Sequence, residues 1–297
     1  MIRTITVYTS TGARHVLPLA DVGGTDLVFS NITGIGPVKA DIFTTNYGAR
    51  AGAYYNGSRT GIRNIVFTIR ATGDQVEAVR FKAYAIFQVE DEVRLVFHSD
   101  KGTFETRGYV ESFEPDIFSD KEQFVVSVIC PDPFFADEGH ATVSTASLSD
   151  SAPRFEFPFE NPLYTPSIVF GEPLGANRNL IVYSGNAPSG MEIKIDVVGD
   201  PGKYVEILTD YGEYLKIEDV NDLIRPGGLI EVSSVESDRY ARVRNGNSVT
   251  DVSWLLYGYG KWPTLRPGEN YLTVRGENKT SGILRVSVTY RNLYRGI

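Results

Sequence analysis

The chain is poor in the side chains that do most enzymatic work. Its 297 residues include one cysteine, three histidines, two methionines and two tryptophans. A lone cysteine cannot close an intrachain disulfide, so no covalent staple is expected within the fold. The histidines, His15, His98 and His140, all lie in the first half, and residues 151–297 contain neither His nor Cys. That excludes His-based catalysis and His/Cys metal binding from the second half and leaves only carboxylate chemistry there. No apolar run approaches the ~18–20 residues a membrane helix needs, so no membrane insertion is expected. The opening residues MIRTITVYTSTGARHVL alternate like a strand and contain no apolar signal core, and the chain reads as made in a cytosol. There is no run of Lys and Arg, and the formal net charge is −8. This balance does not attract nucleic-acid phosphates, so no specific nucleic-acid binding is expected. The charge is uneven: residues 1–150 hold 13 Lys and Arg against 19 Asp and Glu.

What the chain has in abundance is glycine (29), tyrosine (17) and phenylalanine (16). Aromatic and β-branched residues broken by glycine favour strands joined by turns. In the first half TITVY (4–8), HVLPL (15–19), DLVFSNIT (26–33), GIRNIVFTIR (61–70), VRLVFHS (93–99), GTFETRGYVESFEP (102–115) and EQFVVSVIC (122–130) read as strands. In GIRNIVFTIR one face collects Arg63, Ile65, Phe67 and Ile69, a mostly apolar set at period two. One helix is expected over 72–88, with Thr72 and Gln75 at capping-box spacing and an apolar stripe of Val76, Val79, Ala83, Ile86 and Phe87. The bridge 131–162 is rich in Ser, Thr, Pro and acidic residues, and a domain boundary is placed near residue 145. The domains expected are therefore 1–145, β-rich with one amphipathic helix, and 146–297. In the second half short strands recur between turn signals such as GDPGK, RPGG and RNGN, the pattern of an antiparallel β-sandwich. The fold class expected is mainly β.

Candidate sites are few. Cys130 ends the strand FVVSVIC, in phase with Phe124, Val126 and Val128. A catalytic thiol needs a base partner and a lowered pKa, and this position reads instead as a small buried hydrophobe. Pro131 and Pro133 stop strand pairing, and Phe134 and Phe135 can pin the chain against a core as it turns the corner toward the second domain. EDVNDL (218–223) puts Asp219 and Asn221 at the first two positions of a calcium loop, but Leu223 stands where the third oxygen ligand belongs, so a solvated turn is expected. Carboxylates such as Glu213 and Glu218 have no recognisable glycosidase setting. GIGP (34–37) lacks the Gly-Lys-Ser/Thr of a phosphate loop and reads as turn geometry. In WLLYGYGKW (254–262), Trp254, Tyr257, Tyr259 and Trp262 suit either a platform for sugar rings or packing in a core or interface. The stretch NYGARAGAYYNGSRTG (46–61), with Tyr47, Arg50, Tyr54, Tyr55 and Arg59, is too poor in core formers to bury itself. It suits either a surface loop or extended hairpin that orders on a partner, or a merely mobile loop.

The order of these parts resembles the distal tail proteins of long-tailed bacteriophages, the siphophage tail-component family. The residues that carry the resemblance are ICPDPFF (129–135), PGEN (267–270), the terminal ILRVSVTYRNLYRGI (283–297), and the helix followed by VRLVFHSDKGTFETRGYVESFE. The resemblance implies a C-terminal sandwich of the galectin or carbohydrate-binding-module kind. It also implies a homohexameric ring at the tail tip that joins the tail tube to the host-recognition apparatus. The implied partners are further copies of the chain, the tail tube protein, the baseplate hub or tail-associated protein and the tape-measure protein, with DNA passing through the lumen of a virion tail. No catalytic residue and no cofactor are implied. The alternative is a carbohydrate-binding protein that uses the 254–262 aromatics on a cell-surface glycan.

Overall fold

The computed structural model describes residues 2–19, 26–72, 75–116, 122–138, 141–144, 151–153, 171–173, 177–256, 261–278 and 283–297. The chain divides into two compact units, Met1–Glu138 together with Leu293–Ile297, and Gly139–Asn292.

In the first unit the strands are β1 (Ile2–Tyr8), β2 (Arg14–Pro18), β3 (Leu27–Thr33), β4 (Ala40–Asn46), β5 (Ala53–Thr60), β6 (Arg63–Ala71), β7 (Glu92–Ser99), β8 (Gly102–Asp116), β9 (Gln123–Cys130) and β10 (Phe135–Asp137), with one helix, α1 (Val76–Ile86), between β6 and β7. Seven of these strands form one antiparallel path in the order β2-β1-β7-β8-β9-β6-β3. The period-two pattern read from β6 is the one observed: Arg63, Ile65, Phe67 and Ile69 are buried, and Asn64, Val66 and Thr68 are not. Their apolar members join Phe124, Val126, Val128 and Cys130 of β9 in a single core. The helix closes that core with Val79, Ala83 and Ile86. Rings interlock beneath it, Phe29 against Phe67 at 5.0 Å and Phe67 against Phe87 at 6.4 Å. Each such ring, taken fully out of water, contributes about 1.5–3 kcal/mol.

The helix starts later than its capping-box spacing predicts. Gln75 is its N-cap and has no side-chain cap hydrogen bond. Thr72 instead donates its backbone N–H to the Asp26 carbonyl at 2.9 Å and so extends the β3–β6 pairing. The strand ladder thus captures the residue that the local signal gave to the helix.

The second unit contains β11 (Ala141–Ser144), β12 (Ser151–Pro153), β13 (Gly171–Pro173), β14 (Asn177–Tyr183), β15 (Met191–Val197), β16 (Tyr204–Thr209), β17 (Tyr214–Glu218), β18 (Leu229–Ser233), β19 (Tyr240–Asn245), β20 (Ser248–Asp251), β21 (Gly268–Gly276) and β22 (Leu284–Tyr290). One sheet runs β11-β22-β15-β18-β19-β20 and another β14-β21-β16-β17, with β12 and β13 as a separate pair. All described pairings are antiparallel. Strand β15, MEIKIDV, shows the cause in its simplest form: Met191, Ile193, Ile195 and Val197 are buried and the residues between them are exposed. These side chains share one core with Ile181, Val205, Ile207, Leu215, Ile217, Leu272 and Val274 of the other sheet, which is the two-layer sandwich expected. The stretch PSIVFG (166–171), one of the short strands that the second-half pattern predicts, falls almost entirely outside the described residues.

The last strand, β23 (Leu293–Tyr294), pairs with β10 and belongs to the first unit. The sequence pattern places the second domain at 146–297. In the structure the first unit's opening segment ends at residue 138, and the final five residues belong to that unit. Strand β10 draws them there by offering a free edge beside β8, which no local pattern announces.

Candidate interaction site

The segment read as a loop or extended hairpin is a hairpin, and it begins earlier than residue 46. Strands β4 and β5 pair from Ala40↔Thr60 to Asn46↔Ala53 as a two-stranded sheet of their own, with a bulge between Phe43 and Thr44. Its faces are almost wholly exposed. Ile42 is 57% exposed, Phe43 48%, Tyr54 61% and Tyr55 66%. Adjacent strand residues point to opposite faces, so both faces of the ribbon present apolar side chains to solvent. A two-stranded ribbon alone in water is marginally stable. Here it is held by a few local contacts. Tyr47 and Tyr54 meet edge to face at 4.3 Å. The Asn56 amide donates to Thr45 Oγ1 at 2.6 Å, the Tyr55 and Ser58 hydroxyls lie 2.8 Å apart, and Arg59 pairs with Asp41 at 3.2 Å. The tip borders an open hollow of about 670 Å³ lined by Thr45–Ala51 and Tyr54.

Both legs of the hairpin end at one buried cation. Arg63 is 1% exposed and is the first residue of β6, directly after the β5 leg. Its guanidinium spends all five N–H donors on four main-chain carbonyls. Nε and one terminal nitrogen donate to Pro133 O at 2.9 and 2.6 Å. The same terminal nitrogen donates to Arg295 O at 2.7 Å. The other donates to Gly34 O and to Gly36 O, the latter at 2.8 Å. The Phe135 ring lies 4.2 Å below the guanidinium carbon. Burial pulls the Arg63 pKa down, and Asp132 offsets part of this. Gly34 is required for the approach: its φ is +82°, and a Cβ there would stand 1.9 Å from the Asn64 carbonyl oxygen.

The corner residues surround this cation. Cys130 is the last residue of β9, is buried, and pairs in register with Arg63. Burial pushes its thiol up to about 11, partly offset by Thr106 and Arg63, the opposite of what a nucleophile needs. Pro131 and Pro133 occupy the bend that follows, where Asp132 Oδ1 accepts the Phe134 N–H at 2.9 Å. Phe134 is half-buried, while Phe135 is fully buried with its ring against Phe97 at 5.5 Å. His98 engages the Thr6 hydroxyl at 2.9 Å. His140 lies outside the described residues.

In the second unit the carboxylates weighed for chemistry hold turns and strands together. Glu213 accepts from the Thr209 hydroxyl at 2.9 Å, the Thr264 N–H at 3.0 Å and Arg266 at 3.4 Å, and Glu218 accepts from Lys216 at 3.0 Å. Glu206, which the sequence did not single out, accepts from Tyr214 at 2.8 Å and Arg275 at 2.7 Å. Burial pushes its carboxyl up, but those hydrogen bonds outweigh burial and hold it below the ordinary value. Asp219 accepts the Ile224 N–H at 2.8 Å, and Asn221 and Asp222 have positive φ, so EDVNDL forms a tight turn. No group of three or more His, Cys, Asp or Glu suited to a metal occurs among the described residues. Trp254 sits on a 3-10 turn (Ser253–Leu256) and is 64% exposed, whereas Trp262 packs against the core of the unit. Tyr257 and Tyr259 lie outside the described residues. In PGEN, the Asn270 side chain accepts the Arg266 N–H at 2.8 Å and donates to the carbonyls of Arg266 and Gly268 at 2.7 and 2.9 Å, which fixes the turn into β21.

No protein-family model and no curated protein matches the sequence. Among solved structures, two of the phage p2 baseplate in its activated conformation, with Sr and with Ca, each cover 98% of this chain and 98% of their own. Their TM-scores are 0.43 and 0.41, at 9% and 10% identity. The crystal structure of the Dit protein of SPP1, described as a paradigm of the hub adsorption apparatus in phages infecting Gram-positive bacteria, matches with a TM-score of 0.62 at 12% identity. That match covers 97% of this chain and 98% of the other, so nearly the whole of this chain shares the fold of SPP1 Dit.

Proposed function

We propose that this protein is a structural subunit of a long-tailed phage tail tip, a hub that assembles as a homohexameric ring in the virion tail. The ring joins the tail tube to the host-recognition apparatus, with tape-measure protein and then DNA passing through its lumen. The observation that carries this reading is the fold shared along almost the whole chain with SPP1 Dit. The hairpin supplies a physical reason for self-association, since it exposes apolar side chains on both faces that no described residue of its own unit covers.

Charge favours a second copy as the partner of the hairpin. Residues 38–60 carry Lys39, Arg50 and Arg59 against Asp41 alone, while the rest of residues 1–150 hold 10 basic and 18 acidic side chains. A basic arm laid on the acidic body of the next copy is a head-to-tail contact, the kind that closes into a ring when its rotation closes. The same acidity suits a lumen along which DNA slides, because an acidic wall repels phosphates. Light scattering across concentration, with negative-stain images of the same sample, tests the reading. Six-fold rings with an open centre are expected, and a monomer at every concentration counts against unaided ring formation.

A further inference from the structure

The hairpin hangs from the sheet by two short legs, and something must fix the direction in which it leaves. On one side it continues through residues 61–62 into Arg63. On the other it descends from Thr33 through residues 34–39. Along that second leg three successive carbonyls are held, and none by the hairpin's own ladder. Those of Gly34 and Gly36 receive the Arg63 guanidinium. The one between them, Ile35 O, receives the N–H of Ile297 at 3.1 Å. The C-terminal segment is built into the same knot. Leu293 and Tyr294 add a strand to β10, the Tyr294 ring meets Phe104 edge to face at 5.0 Å, and the Arg295 carbonyl takes an Arg63 N–H. Gly296 passes so close to the leg that a Cβ on it would stand 3.0–3.1 Å from Gly36, Ile35 and Pro37.

We propose that Leu293–Ile297 is a clasp: by strand addition and through Arg63 it fixes the root of the β4–β5 hairpin and so holds the arm in the direction that self-association requires. The chemistry is that of a peptide captured on a sheet edge, with the guanidinium reading its main chain as it reads the leg and the domain exit. The segment's role is therefore to position the arm, not to contact the next subunit. The link to association rests on the hairpin reading above; the fixing of the root does not.

Spin labels test this. Cys130 is fully buried, and with it replaced by Ser the full chain carrying Ala49→Cys at the hairpin tip and Gln123→Cys on β9 takes two labels at exposed positions. The distance distribution is measured in an excess of unlabelled protein, so that only pairs within one chain contribute. A narrow distribution is expected for the otherwise unaltered chain, and loss of the narrow peak for a chain ending at Asn292. Gly296→Val, which keeps Arg63 and all strands, is expected to broaden it as well. Added acetyl-Leu-Tyr-Arg-Gly-Ile is expected to restore the peak in the shortened chain. Unchanged distributions in Gly296→Val and in the shortened chain overturn the clasp and leave the proposed function standing. Broadened distributions with ring formation intact overturn its link to assembly. Failure of the unaltered chain to associate counts against the ring and leaves the distances to decide the clasp.

Discussion

Replacing Arg63 by Met keeps most of the side-chain volume and removes every donor. The structure says what is lost. Five hydrogen bonds from a charged group to four carbonyls disappear, together with the stacking on Phe135. A buried acceptor left without a partner costs about 1–3 kcal/mol. Loop carbonyls recover part of that from entering water, so about 1 kcal/mol each is the appropriate figure, and the lost ring contact adds roughly 1 kcal/mol. Relief of the guanidinium's own desolvation, visible in its lowered pKa, works in the other direction. The net loss is then about 3–5 kcal/mol, comparable to breaking a buried ion pair. For a unit of this size each kcal/mol shifts Tm by roughly 3–4 °C, so the first unit's transition falls by on the order of 10–20 °C. Differential scanning calorimetry at fixed protein concentration reads this directly, because Arg63 has no described partner in the second unit and that transition should stay in place. A shift of the first transition below about 3 °C would show that the carbonyl knot contributes little beyond the ladder. Equal shifts of both transitions would refute the assignment of Arg63 to the first unit's stability.

Other outcomes follow from the same geometry. With its thiol pushed up to about 11 and buried, Cys130 should not react with a disulfide reagent near pH 8 until the protein is unfolded, and Cys130→Ser should leave assembly intact; rapid reaction in the native state would contradict the corner reading. Phe43→Asp and Tyr54→Asp, both on exposed hairpin positions, should abolish self-association in light scattering while leaving both calorimetric transitions where the unaltered chain has them at a concentration too low for it to associate; a first transition lowered below that monomer value would show that the hairpin is part of the unit's core. Glu206 has its carboxyl held below the ordinary value, so its stabilisation is complete above that value and is lost as pH falls through the folded one. Thermal unfolding of the second unit should therefore fall more steeply in acid than in Glu206→Gln, and identical acid limbs would remove Glu206 from the account.

The sequence made the ladders of both units legible because a strand with one buried face writes its period into the chain, as β6 and β15 do. The hairpin was half legible. Its lack of core formers marked it as surface, but β4 was missed because a ribbon with no buried face has no alternation to read. Arg63 was placed on the right face and its role was invisible, since main-chain carbonyls carry no residue signature and its partners come from three distant segments. The return of the last five residues to the first unit was hidden for the same reason: it depends on an edge offered by β10. Within the aromatic stretch 254–262 the sequence could not tell Trp254, which faces solvent, from Trp262, which packs against the core, because the stretch has no period from which to read a face.

Native mass spectrometry of the intact chain and of a chain with residues 40–60 replaced by a short glycine–serine turn tests the central claim most directly. Six copies of 32.8 kDa give a species near 197 kDa for the intact chain, and the account predicts that species there and only monomer without the hairpin. A hexamer that survives loss of the hairpin would contradict the role assigned to it, and a monomer from the intact chain under all conditions would contradict the self-assembling ring.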